Sequence, residues 1–232
     1  MISERITLAD YQQQLARAGR VVVRDFLEEA KAEQLFTDIS NIEQWDLAVN
    51  TPAGPAAIDA TEFESAPERE RQKVHQEIHK QALDGFSYYY GRYELIPGEP
   101  ICLKDVRDFI ASDGFMSFIK QLTGDAHIER ADAHATVYRT GHFLKKHDDT
   151  YAGKNRRYAY VIGLTPYWQV DWGGLLHFID SDGSVSDVFV PAFNTLTIFK
   201  VPQNHFVSIV TNFANESRYS VTGWIFGPDD GD

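Results

Sequence analysis

The chain contains 232 residues, of which 43% are hydrophobic and 24% charged, an ordinary composition for a globular protein with a substantial core. Its 34 acidic and 22 basic residues give a net charge of -12, which argues against nucleic acid as the main partner, because phosphate binding requires clustered lysine and arginine. Cys102 is the only cysteine, which excludes an intrachain disulfide and a thiolate metal cluster. No apolar run has signal-peptide or membrane-spanning length, so we expect a cytoplasmic protein with no membrane partner.

The N-terminal segment predicts a helix, a strand and a second helix. Thr7 and Asp10 have the spacing of a capping box, and Gly19 is placed to end the helix that follows. Three consecutive valines at 21–23 then indicate a short buried strand. Apolar residues recur at helical spacing over 28–42, which predicts the second helix.

The next segments are less regular. Residues 45–60 are rich in proline, glycine and alanine, and we interpret them as a connecting loop, with a mobile lid as the alternative. Residues 62–82 form a charged helical pattern. His75 and His79 are four residues apart on it, but we interpret them as part of a solvated face rather than a metal site.

An aromatic cluster follows at residues 86–93, for which core packing is favoured over a substrate groove. Two short helices are then predicted, one from Leu103 to Ile110 and one over 115–122, closed by Gly124. Substrate specificity is expected to reside in 45–60 and 83–100, which contain no motif that identifies a substrate.

Short β-prone segments separated by turns begin near His127, which predicts a double-sheet sandwich or barrel. They comprise residues 128–139, 142–147, 157–164, 174–179, 186–190, 195–201, 206–211 and 218–226. With no separate linker, we expect one domain over 1–232, in which a helical buttress (1–126) supports a β core (127–228).

The chemistry is concentrated between Tyr138 and Asp149. His147 and Asp149 are two residues apart in a segment expected to be extended, so their side chains would share one face while Asp148 points away. His205 is the best candidate for a third ligand. Two histidines and one carboxylate on one side of an ion form the facial arrangement of non-haem Fe(II) oxygenases.

Arg218 opens an alternating stretch and could point into the sandwich. A buried arginine is costly without an anion, and a dicarboxylate co-substrate would provide one. His134, His142 and His177 have no comparable context and are interpreted as structural or surface residues.

Five motifs in order carry a family resemblance. They are Y-x-x-G-x-F-L-x-x-H-D-D from Tyr138, W-G-G-x-L from Trp172, P-x-F-N-x-L from Pro191, then His205, then R-x-S-x-x-G-W from Arg218. The series resembles the 2-oxoglutarate/Fe(II) dioxygenases of the prolyl 4-hydroxylase type, in particular the catalytic domain of the ribosomal prolyl hydroxylases. It implies a double-stranded β-helix (jelly-roll) core buttressed by N-terminal helices.

The resemblance also implies roles for individual residues. His147, Asp149 and His205 would be the iron ligands and catalytic centre. The remaining positions concern 2-oxoglutarate: Arg218 would bind its distal carboxylate, Tyr138 would place a hydroxyl beside it, Leu176 would line its pocket and Asn194 would lie at a strand start nearby. Fe(II), 2-oxoglutarate and O2 are the implied cofactors, with ascorbate as a candidate reductant. The implied substrate is a protein or peptide containing proline.

One position departs from the family. A second tyrosine is usual where this chain has Gly163, and Tyr160 should lie on the opposite face of that strand. Three alternatives stay open: a free amino acid or other small molecule as substrate, an alkylation-repair dioxygenase, and a non-catalytic β-sandwich binding module. The repair enzymes commonly carry a second arginine where this chain has Trp224. The oligomeric state has no sequence signature.

Overall fold

The computed structural model describes residues 1–95 and 101–228. The helices are α1 Leu8–Ala18, α2 Glu29–Ser40, α3 Ala60–Ser65, α4 Glu68–Asp84, α5 Ile101–Ile110 and α6 Asp113–Thr123. The first strands are β1 Arg20–Arg24, β2 Asp46–Thr51, β3 Gly54–Asp59, β4 Tyr88–Glu94, β5 Arg130–Ala131, β6 His134–Tyr138 and β7 Phe143–His147. The others are β8 Arg156–Leu164, β9 Leu176–Ile179, β10 Val185–Phe189, β11 Phe193–Lys200, β12 His205–Val207 and β13 Arg218–Phe226. None of the helices described is long and apolar enough to cross a bilayer.

The predicted helix ends are largely confirmed. Gly19 adopts the left-handed conformation after α1, with its N–H donating to Leu15, and Gly124 does the same after α6. The capping box at Thr7 is wrong, because its side chain makes no capping hydrogen bond. Leu103 lies within α5, but its side chain is outside those that the structure describes.

The prediction of a loop over 45–60 is wrong, since this segment forms a hairpin. Strand β2 pairs with β3 on one edge and with β4 on the other, over Asp46–Val49. Proline, glycine and alanine disfavour strands only weakly, and the hydrogen bonds that β4 offers from a distant part of the sequence outweigh that preference.

The charged helical pattern over 62–82 is two helices, α3 and α4, with Pro67 at the start of the second. His75 is partly buried against the sheet, whereas His79 is exposed. His75 Nε2 lies 3.3 Å from the Tyr89 hydroxyl, and the ring of His79 stacks on Phe143. The interpretation as a solvated face is therefore corrected for His75, whereas His79 is exposed, as expected.

The β core is a strongly curved antiparallel sheet with the order β1-β11-β8-β13-β6-β4-β7-β12-β9-β10 among the described residues. Strand β4 joins its two halves, because residues 91–94 pair with β6 and residues 88–89 pair with β7. Opposite walls of a cavity are therefore built from β8, β13 and β6 on one side and from β7, β12 and β9 on the other. The functional side chains point into this cavity.

The helices cover the outer face of the larger half. Phe26, Phe109, Phe115 and Phe118 pack their rings together beneath them, and Phe115 also contacts Tyr160 of β8. This apolar layer explains why the N-terminal segment supports the β core, as predicted.

Candidate active site

Three ligand-type side chains converge at one end of the cavity. His147 is the last residue of β7 and lies opposite His205, the first residue of β12, in the strand register. The Nε2 atoms of His147 and His205 lie 3.3 Å and 3.5 Å from the carboxylate oxygens of Asp149. The three ligand atoms all lie within 4.8 Å of one another, so the predicted convergence is confirmed.

The route to this convergence differs from the prediction. Asp149 is not in a strand but follows the end of β7 with a left-handed backbone, φ 65°. Aspartate tolerates this conformation better than most residues. The turn, and not the alternation of an extended strand, brings the carboxylate back to His147. Asp148 points away as expected, and its carboxylate accepts hydrogen bonds from Thr150.

Both imidazoles are held in one tautomer by the main chain. His147 Nδ1 lies 2.9 Å from the carbonyl of Lys145, and His205 Nδ1 lies 2.8 Å from the carbonyl of Gln203. A carbonyl only accepts hydrogen bonds, so each Nδ1 carries a proton and each ring turns its Nε2 toward Asp149.

The electrostatics of the cluster call for a cation. Burial alone would raise the pKa of Asp149, but hydrogen bonding from His147 and the two facing imidazoles bring it below its ordinary value. Burial, reinforced by the imidazole of His147, lowers the pKa of His205 to about 4. An ionised carboxylate therefore faces the Nε2 atoms of two imidazoles. Two imidazole nitrogens and one carboxylate oxygen form a donor set that fits Fe(II).

Arg218 lies deeper in the same cavity. Its side chain is buried, donates to the carbonyl of Gly174 at 2.8 Å and lies 4.9 Å from the ring centroid of Tyr138. Burial lowers the pKa of Arg218, and no carboxylate in the described ranges forms an ion pair with it. Burial raises the pKa of Tyr138, so its phenol stays a hydrogen-bond donor. The pair is arranged to hold an anion.

Of the other two residues predicted to lie near the co-substrate, one lines the cavity and one does not. Leu176 lines the cavity between the imidazoles and Arg218, as expected. Asn194 does not line it: its amide donates to the carbonyl of Leu27 and accepts from the N–H of Leu27, both at 2.8 Å. The left-handed backbone of Asn194, φ 52°, turns the side chain outward to the N-terminal segment. Its predicted place near the pocket is therefore corrected to a structural one.

Tyr160 and Gly163 behave as the alternation of β8 predicts. Tyr160 is buried on the helix side and donates to the carbonyl of Asp132 at 2.7 Å, so it cannot reach the co-substrate position. Gly163 lines a small adjoining cavity, which shares Leu176, Arg218 and Ser220 with the cavity of the iron-type ligands.

The sequence interpretation missed His134, which lines the cavity beside the iron-type ligands. Burial lowers the pKa of His134 to about 3, so the ring is neutral. Its spacing from Tyr138, four residues along the same strand, was the signal that placed both on one face. His134 is therefore buried beside the site rather than on the surface.

The aromatic cluster of β4 is also divided between core and site. Tyr90 stacks on Tyr138 with ring centroids 5.1 Å apart, and Tyr88 follows Tyr90 at 5.8 Å. Phe86, which is 45% exposed, contacts the imidazole of His147. Tyr89 instead packs toward the helix side. One face of this strand therefore lines the cavity and its entrance, where core packing alone was favoured.

Comparisons with known proteins agree with this geometry. Residues 133–226 match the family model of the 2OG-Fe(II) oxygenase superfamily. Over 122 residues the chain is 29% identical to the prolyl 3-hydroxylase OGFOD1 of Mus musculus, a match that covers 50% of this chain and 22% of the mouse protein. The chain thus spans less than a quarter of that relative's length.

Two solved structures show the same fold. A Pseudomonas putida prolyl-4-hydroxylase has a TM-score of 0.60 at 18% identity, covering 95% of this chain and 99% of its own. A Trichoplax adhaerens prolyl hydroxylase in complex with a hypoxia inducible factor peptide also has a TM-score of 0.60, at 17% identity, covering 94% and 87%. The predicted jelly-roll fold is confirmed. Over residues 133–226, the chain is thus similar to the 2OG-Fe(II) oxygenase superfamily.

Proposed function

We propose that this protein hydroxylates a prolyl residue of a protein or peptide substrate, using Fe(II) and 2-oxoglutarate. One observation carries the proposal: a two-histidine, one-carboxylate cluster shares a single cavity with a buried arginine that has no carboxylate partner among the described residues. A metal site and an anion site at the two ends of one cavity suit a dicarboxylate that reaches from one to the other.

His147, Asp149 and His205 would hold the iron through Nε2, a carboxylate oxygen and Nε2. Main-chain carbonyls orient both imidazoles before the metal binds, which reduces the reorganisation that binding requires. When bound, Fe(II) and 2-oxoglutarate supply the oxidising chemistry, in which O2 converts the co-substrate to succinate and CO2 and one oxygen atom enters a C–H bond.

Arg218 and Tyr138 would bind and orient 2-oxoglutarate. The guanidinium can give two parallel hydrogen bonds to a carboxylate, and the protonated phenol of Tyr138 adds a donor nearby. Leu176 and Phe199 line the space between the two ends and exclude water from it.

The metal end of the cavity, away from Arg218, suits a proline-containing segment. Trp224 presents its indole there, with the Arg156 guanidinium 3.7 Å from the ring centroid. The Nε–H groups of Arg156 and Arg92 are buried without hydrogen-bond partners among the described residues, and His134 lies beside them. This end offers donors and an aromatic surface. A proline segment offers carbonyl acceptors and an apolar ring, and it lacks the N–H that would need an acceptor.

Similarity to relatives supports the substrate class and the ring position. The mouse relative, which is similar by sequence, is named a prolyl 3-hydroxylase, whereas likeness to the prolyl-4-hydroxylase structure at 18% identity concerns the fold alone. We therefore place hydroxylation at C3 of the proline ring.

The first experiment is anaerobic titration of the metal-free protein with Fe(II) and 2-oxoglutarate, observing the visible metal-to-ligand charge-transfer band. We expect a band that requires both additions and is lost in Asp149→Ala. Folded wild-type protein without a band would contradict the iron site and favour a binding module.

The second experiment tests the substrate. Proline-containing peptides should stimulate succinate formation and gain one oxygen atom on proline, and NMR of the hydrolysed product distinguishes C3 from C4. Stimulation by free amino acids instead of peptides would replace the proposed substrate with a small molecule.

A further inference from the structure

The position of the absent family tyrosine, Gly163, is closed to any side chain. An ideal Cβ at Gly163 would lie 2.4 Å from the carbonyl oxygen of Ala192 and 2.6 Å from Oγ1 of Thr195. Backbone and a neighbouring hydroxyl therefore occupy the space into which that tyrosine would project. Whatever the tyrosine contributes in other members must come from a different residue here.

Strand β11 supplies two threonine hydroxyls to the space beside Gly163. Thr195 pairs with Gly163 and Thr197 pairs with Val161, two residues along β8, so both threonines alternate onto the cavity face. They line the same small cavity as Arg218 and Ser220. Both are buried, with 5% and 7% of their surface exposed.

Neither threonine hydroxyl makes a short hydrogen bond to another of the described residues. Thr195 Oγ1 makes only a long contact, 3.4 Å, to the carbonyl of Ala192. None of the residues in 1–95 and 101–228 hydrogen-bonds the hydroxyl of Thr197. Ser220 is different, because its hydroxyl lies 2.6 Å from that of Thr136 and is already paired. Buried hydroxyls without good partners, beside an arginine that has no carboxylate partner among the described residues, indicate a ligand that accepts hydrogen bonds.

We propose that Thr195 and Thr197, together with Arg218, hold the distal carboxylate of 2-oxoglutarate in place of the side chain missing at position 163. The inference rests on the proposed function. Each threonine hydroxyl donates to a carboxylate oxygen, which has enough lone pairs to accept from both hydroxyls and from the guanidinium. The missing tyrosine is therefore compensated from the adjacent strand.

The test compares two double variants in the anaerobic charge-transfer titration. Thr195→Val with Thr197→Val removes both hydroxyls at nearly constant shape, whereas Thr195→Ser with Thr197→Ser keeps them. We expect the Kd of 2-oxoglutarate to rise about tenfold or more in the valine variant, as for loss of hydrogen bonds to a charged group, and to change little in the serine variant. The affinity for Fe(II) should be unchanged in both.

A second ligand gives an internal control. The 2-oxo acid 2-oxobutyrate lacks the distal carboxylate, so its affinity should be the same in the wild type and in the valine variant. An unchanged Kd of 2-oxoglutarate in a folded valine variant would overturn the inference, as would an equal loss for 2-oxobutyrate.

The failure of the inference is separable from that of the proposed function. If the wild type forms no band with Fe(II) and 2-oxoglutarate, the proposed function fails. If the wild type forms the band and the variants match it, only the role of the threonines fails. Circular dichroism melting reports whether each variant is folded. If the double valine variant is not folded, the Kd of 2-oxoglutarate is compared between Thr197→Val alone and the wild type.

Discussion

Substitution of Gly163 by alanine should destabilise the protein by steric overlap alone. The added Cβ would lie 2.4 Å from the carbonyl oxygen of Ala192, whereas Cβ contacts under 3.0 Å are essentially never found. One of the two groups must therefore move by about 0.6 Å, the difference between these distances. Strand β8 is paired on both edges, with β11 and β13, so it cannot move freely. Overpacking of this kind costs about 1–3 kcal/mol, and we expect Gly163→Ala to lose that much unfolding free energy.

The assay is urea unfolding followed by circular dichroism, with Gly85→Ala as the matched control. Gly85 has an extended backbone, φ 172°, and nothing lies within 4 Å of its added Cβ, so its substitution should change stability by less than about 0.5 kcal/mol. A midpoint for Gly163→Ala equal to those of the wild type and Gly85→Ala would refute the reasoning. It would mean that the main chain at Ala192 yields without cost. Gly163→Tyr should be more damaging still and should not improve binding of 2-oxoglutarate.

Three further predictions follow from single features. Arg218→Ala should weaken 2-oxoglutarate binding about 100-fold in the charge-transfer titration, because it removes two hydrogen bonds to a charged group. Arg218→Lys should recover part of the loss. Equal affinity in the wild type and both variants would mean that another cation binds the anion. Burial lowers the pKa of His142 to about 4, so on acidification the unfolded chain binds a proton at this residue before the folded one does. As the pH is lowered from about 6.5 to about 4, this group should therefore decrease the unfolding free energy by at most about 3 kcal/mol. His142→Gln should show a flatter dependence, and an unchanged pH slope would contradict the assignment. Gly114→Ala, within α6 and with only the Ser112 hydroxyl at 3.8 Å, should raise the thermal midpoint by stabilising the helix by about 0.5–1 kcal/mol; a lower midpoint would show that the position requires glycine.

The sequence determined the types and order of the functional groups. His147, Asp149, His205 and Arg218 were identifiable because metal ligation and anion binding restrict the residue types that can do them. The helix ends at Gly19 and Gly124 were predictable for a similar reason, since a left-handed residue after a helix strongly favours glycine. These requirements depend on the type of a residue and on its neighbours in the chain, so they can be identified from the sequence.

The tertiary structure decided how those groups meet. Asp149 reaches His147 through a left-handed turn and not along a strand, residues 45–60 become a hairpin because β4 pairs with them, and Asn194 turns away to bind Leu27. The space at Gly163 is filled from Ala192 and Thr195, residues of another strand and the loop before it. Each outcome depends on hydrogen bonds and contacts between segments far apart in the chain. Their free energies outweigh the weak local preferences of the residues involved, and no pattern within one segment contains them.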